Sequence, residues 1–138
     1  MNKQQEIVDA LTYILQSAEN IMYVTPDQTH AFKPTDLPAV LVVDESVQDE
    51  LITIGSRIKR CTMLVRLILI VQGGTAANAV RDLVASLYEA IEQDPFLGDL
   101  AVQIIPVSRE FELAQNGKMI AAANISLEIT YDTTIWSI

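Results

Sequence analysis

Apolar residues at Ile7, Leu11, Ile14, Leu15 and Ala18 recur at the spacing of one helical face, with Gln4, Gln5, Glu6, Asp9, Thr12 and Gln16 mostly off it. This predicts an amphipathic helix from Lys3 to Ala18, its early acidic residues placed where the helix dipole favours them. The pattern then breaks. Pro26, Pro34 and Pro38 fall in a stretch rich in Thr and Asp, read as a loop after a short strand around Ile21 to Val24. The run from Ala39 to Val43 is continuously apolar and predicts a strand buried on both faces, and the acidic segment Asp44 to Glu50 predicts a solvated loop.

Leu51 to Ile54, the pair Gly55-Ser56, and Arg57 to Gln72 read as a hairpin with a long second strand. On that strand Cys61, Met63, Val65, Leu67, Leu69 and Val71 share an apolar face. The opposite face, Arg60, Thr62, Leu64, Arg66, Ile68 and Ile70, begins polar and ends apolar, so the strand projects from the domain at its Arg60 end. Gly73-Gly74 closes it and Thr75 is a suitable N-cap for a second helix carrying Val80, Leu83, Val84, Leu87, Tyr88 and Ile91; Asp94-Pro95 stops that helix. Leu100 to Ile105 predicts another strand, and Pro106 marks an edge or a bulge. Asn116-Gly117 is a strong hairpin signal. It leads into a strand on which Ala121 to Tyr131 alternates between apolar and polar faces. The order helix, strand, β-hairpin, helix, β-hairpin predicts one α+β domain over residues 1–138, a mostly antiparallel sheet with two helices packed on one face.

Composition changes this picture in two ways. Half of the 138 residues are apolar and the mean hydropathy is +0.27, high enough to suggest apolar surface buried against other copies. No apolar stretch approaches the roughly 18–20 residues that span a bilayer, and the polar N-terminus does not read as a signal peptide. The expected site of synthesis and assembly is the cytoplasm, with no membrane partner. The net charge is −9, from 18 acidic and 9 basic residues. The basic footprint needed to grip duplex DNA is missing, whereas an acidic surface suits solubility or a wall that nucleic acid slides past.

Candidate chemistry is sparse. His30 is the only histidine, in the Pro-rich loop near Asp27 and Asp36, with no nucleophile or metal constellation beside it. The single cysteine, Cys61, sits on an apolar strand face and reads as a small hydrophobe. Gly73-Gly74-Thr75 joins strand to helix but lacks the Lys of a P-loop. The acidic pairs Asp44-Glu45 and Asp49-Glu50 lack the spacing of a calcium loop. The expectation is therefore a non-enzyme without catalytic residues, cofactor or metal. The basic cluster Arg57, Lys59 and Arg60 near the hairpin tip reads either as a contact with an acidic neighbour or as cations that blunt an edge strand. With the residues that flank it on the projecting strand, it makes Arg57, Ile58, Lys59, Arg60, Thr62, Leu64 and Arg66 the candidate subunit or partner interface.

The segment Glu89 to Leu100, containing Asp94-Pro95-Phe96-Leu97-Gly98-Asp99-Leu100, and the closing strand with Ile129-Thr130-Tyr131-Asp132-Thr133 resemble the tail terminator (tail completion) proteins of long-tailed bacteriophages. The resemblance implies a tail-tube-like fold and a structural virion protein. Such subunits form a hexameric ring that caps the tail tube, ends its polymerisation and joins the tail to the neck. The implied partners are other copies of the chain, the tail-tube protein and a neck or connector protein, with DNA passing through the lumen without specific binding. The hairpin implied to reach a neighbouring subunit is by position Leu51 to Arg66. A head–tail connector or other tail component, and a ferredoxin-like domain binding a small molecule at a subunit interface near Gly73-Gly74, remain alternative readings.

Overall fold

The chain alternates helices and long strands in the order α1 (Lys3–Leu15), β1 (Tyr23–Thr25), β2 (Ala39–Leu51), β3 (Ile58–Gln72), α2 (Ala76–Gln93), β4 (Gln103–Asn116) and β5 (Lys118–Thr134). The structure is a computed structural model that describes residues 2–19, 21–27, 37–73, 76–116 and 118–138. It is an α+β fold in which the five strands form one mixed sheet in the order β1-β2-β3-β5-β4. β1 runs parallel to β2, and the other three pairings are antiparallel.

α1 begins where the Asn2 side chain accepts a hydrogen bond from the Gln5 amide (2.9 Å), which satisfies an otherwise unpaired helix donor. It ends at Leu15, three residues before the expected Ala18, in a turn tightened by the Ser17 amide bonding to the Ile14 carbonyl. Its buried face holds Ile7, Val8, Leu11 and Leu15, and that of α2 holds Val80, Leu83, Val84, Leu87 and Ile91. Both lie in one core with the odd-numbered residues of β3 and β5, from Cys61 to Val71 and from Ala121 to Tyr131. Period-2 alternation thus puts one face of the central strands under the helices.

The acidic segment Asp44 to Glu50 is not a loop. It is the outer half of β2, paired residue by residue with β3 as far as Leu51↔Lys59. β3 exposes a continuous row of backbone donors and acceptors, and meeting them outweighs the low strand preference of Asp and Glu, whose side chains stay largely in water. A bulge between Asp44 and Ser46 leaves Glu45 unpaired. Before it Val40 and Val42 face the core; beyond it Val47 and Asp49 occupy that side, opposite Met63 and Cys61. Pro106 has the same effect in β4, an edge strand whose register shifts between Pro106 and Ser108. Proline lacks the ladder donor and is tolerated there.

The β2–β3 turn spans Ile52 to Arg57, longer than the two residues expected, and Gly55 takes the positive φ of 81° that it needs. After α2 the chain reverses through Leu97, Gly98 and Asp99, all with left-handed φ (50°, 63° and 69°). The Asp94 carboxylate accepts the Gly98 amide (3.1 Å), and Leu97 is driven into the core. This turn carries the chain from α2 to β4.

Candidate assembly surfaces

β3 sorts the candidate interface residues by parity. Ile58, Arg60, Thr62, Leu64 and Arg66 lie on the face of the sheet away from the helices, where Ile58 and Arg60 are exposed and the other three half-buried. Lys59 points the opposite way and is 8 % exposed. The basic cluster read along the sequence is therefore not one patch. Lys59 Nζ pairs with Asp49 Oδ2 at 2.9 Å on the helix side, and Arg60 pairs with Asp132 on the open side. Arg57 is exposed in the turn, where its carbonyl accepts the Ile135 amide (3.1 Å). Arg66 Nε lies 3.0 Å from Glu45 Oε1, an ion pair without a well-aligned hydrogen bond. Three of the four cations in the interface set thus have a carboxylate partner within the subunit, which weakens them as seekers of an acidic neighbour.

The helix side of this end holds a small polar group. The Lys59 ammonium, and the Cys61 thiol after it, hold the Asp49 carboxyl below the usual carboxylate range. Burial pushes the Cys61 thiol up, as does the Asp49 carboxylate beside it. Burial likewise raises Tyr131, the register partner of Cys61. A thiol with a raised pKa beside a carboxylate is a poor nucleophile. On the open face the Arg60 guanidinium lowers Asp132, and Asp132 raises Arg60 in return.

Two apolar features lie largely outside the candidate set, which shares only Ile58 with them. The first is the hairpin tip, where Leu51, Ile52 and Ile58 are about half exposed and Ile54 is fully exposed. Trp136, also almost fully exposed, follows close by, since the Ile135 amide bonds to Arg57. Four isoleucines and leucines at one turn could have been noticed in the sequence; that none of them folds back on the core could not. The second is a shallow groove between α2 and β4. Its depressions follow one another past Ala77, Val80 and Arg81, then Tyr88, then Ile91 and Pro95 on one wall. Leu113, Phe111, Arg109, Pro106 and Ile104 form the other. Arg109 lies over the Tyr88 ring, 6.0 Å from its centre.

His30, Gly74, Thr75 and Gly117 lie outside the described residues. Among the described residues no group of three or more His, Cys, Asp or Glu is placed to hold a metal ion, and no helix is long and apolar enough to cross a membrane. Compared with models of known protein families and with curated proteins, the chain matches none.

Proposed function

We propose that this chain is a non-enzymatic structural subunit of a phage tail, a terminator-type protein. Copies of it form a ring, six by the resemblance, that caps the tail tube and joins it to the neck. The observation that carries the self-assembling part is the hairpin tip, because a soluble domain gains nothing from leaving Leu51, Ile52, Ile54 and Ile58 in water unless another surface covers them. The place in the tail rests on the resemblance of Glu89 to Leu100 and Ile129 to Thr133. The α+β fold with its long hairpin is compatible with it, and the finer reading of a mostly antiparallel, tail-tube-like sheet belongs to the same proposal. A net charge of −9 suits a lumen past which DNA slides. In this reading the protein is made in the host cytoplasm and ends in the virion, between tube and neck.

Sedimentation velocity on the full chain, alone and with tail-tube protein, tests the reading. A closed ring that halts tube growth, seen by electron microscopy, is the expected outcome. A monomer at every concentration, with tubes growing unchanged in its presence, would overturn it.

A further inference from the structure

An unpaired strand edge is a template for any other extended chain, and β4 offers a long one. Ile105, Val107, Phe111 and Leu113 on it are 39–58 % exposed, which favours joining with other strands. The opposite edge is also largely bare. β1 covers β2 only from Ala39 to Leu41, and among the described residues no strand pairs with the rest of that edge. We propose that the bulges and carboxylates of β2 and β4 are a guard that keeps the sheets of separate copies from joining edge to edge. The subunit can then display apolar side chains without polymerising through its backbone.

Where these features fall is the argument. The register shifts at Asp44/Ser46 and Pro106/Ser108 lie on β2 and β4, while β3 and β5 pair without a shift from Ile58↔Thr134 to Gln72↔Ile120. A bulge bends its strand and breaks the even row of donors and acceptors that an incoming chain must match. Pro106 adds to this by having no N–H to offer. Charge is distributed in the same way. Beyond the cover of β1, β2 carries Asp44, Glu45, Asp49 and Glu50, and β4 carries Glu110 and Glu112. The central β3 has no carboxylate. An arriving strand would have to strip water from these groups, which costs free energy that a bare ladder does not return.

Pairing of β4 with β4 of a second copy about a two-fold axis shows the guard acting. Registers centred on residues 110, 111 or 112 set glutamate against glutamate, which destabilises the joint. A register centred on 108 encloses Pro106 and the bulge. One centred on 113 escapes both, but the strand ends at Asn116, so the joint is confined to residues 110–116 and leaves Ile105 and Val107 unpaired. The hairpin tip differs in kind. Ile52 and Ile54 lie in a turn, where side chains are exposed but no ladder is open to extension.

The test compares full-length variants with the parent chain, each first checked for folding by circular dichroism. Pro106→Val with Glu110→Thr and Glu112→Thr strips the β4 edge. Glu89→Gln with Glu92→Gln removes the same charge from exposed positions of α2 and serves as the control. The stripped variant is expected to bind thioflavin T and sediment as large species at a concentration about tenfold or more below that of the parent, with the control matching the parent. A stripped variant as soluble as the parent, or a control that associates equally, would overturn the guard. Should the stripped variant not fold, Glu110→Lys with Glu112→Lys, mixed in equal amounts with the parent, decides the matter. A mixed dimer that neither chain forms alone supports the guard, and its absence overturns it. Because each variant is read against its parent, the outcome does not depend on whether copies form a ring.

Discussion

Arg60 clasps Asp132 across the open face of the sheet with two parallel bonds, Nε to Oδ1 at 2.9 Å and Nη2 to Oδ2 at 3.0 Å. The two residues are direct partners in the β3–β5 register, so the fork geometry is set by the backbone and little ordering is needed to form it. Both remain in contact with water, which limits what the pair contributes. Asp132→Asn is expected to leave the fold intact and lower the urea midpoint only slightly, with the difference shrinking in high salt. A large loss of stability, or one indifferent to salt, would contradict this geometry.

The carboxylates give an acid limb. Asp49 and Asp132 are held below the ordinary carboxylate value of about 4. For a lowered pKa, the unfolded chain binds protons first as the pH falls. The stabilisation is therefore complete above the unfolded value and is lost as the pH drops through it to the folded values. Cys61 and Tyr131 are raised. Their contribution is complete below the ordinary thiol and phenol values, near 8.5 and 10, and is lost as the pH climbs past them. Urea midpoints measured from pH 3 to 11 should form a plateau that falls at both ends. In Asp49→Asn with Asp132→Asn the fall on the acid side should be shallower.

Adjacent residues on β3 should differ sharply. Leu67 is fully buried under the helices, and Ile68 lies half-buried on the open face. Leu67→Ala is expected to cost about 2–5 kcal/mol, and Ile68→Ala roughly 1 kcal/mol in the monomer. Equal losses by denaturant titration would mean that the open face is covered.

The turn after α2 offers a backbone test. Gly98 has φ 63° and nothing within 4 Å of where a Cβ would stand. Gly98→Ala should therefore meet no clash and should cost only the left-handed conformation, about 1 kcal/mol. An unchanged thermal midpoint would show that the residue does not need that φ.

The tip separates folding from assembly. Ile54 is fully exposed and touches no part of the core cluster. Ile54→Asp is expected to keep the monomer's stability within about 0.5 kcal/mol while abolishing the proposed ring in sedimentation velocity. A ring that persists would free the tip from any role in assembly.

The helices and the buried faces of β3 and β5 were legible in the residue pattern because burial on one side imposes a period, 3.6 in Ile7 to Leu15 and 2 in Cys61 to Val71. Pro106 announced an edge or a bulge, and β4 has both, because the missing N–H is a local fact. Where the period jumps, local reading fails. Glu45 shifts the core-facing side from Val42 to Val47, and the acidic stretch around it becomes strand only because β3 offers it a ladder. The same limit hid the parallel pairing of β1 with β2, which depends on where a distant strand lies.

The candidate interface divides along the same line. That Arg57, Lys59 and Arg60 gather near one turn is a property of the chain alone. That Lys59 turns under the sheet to Asp49, Arg60 over it to Asp132, and the apolar tip remains uncovered was decided by the tertiary structure. Side-chain direction follows from strand parity, but the partner a side chain finds there comes from residues many positions away.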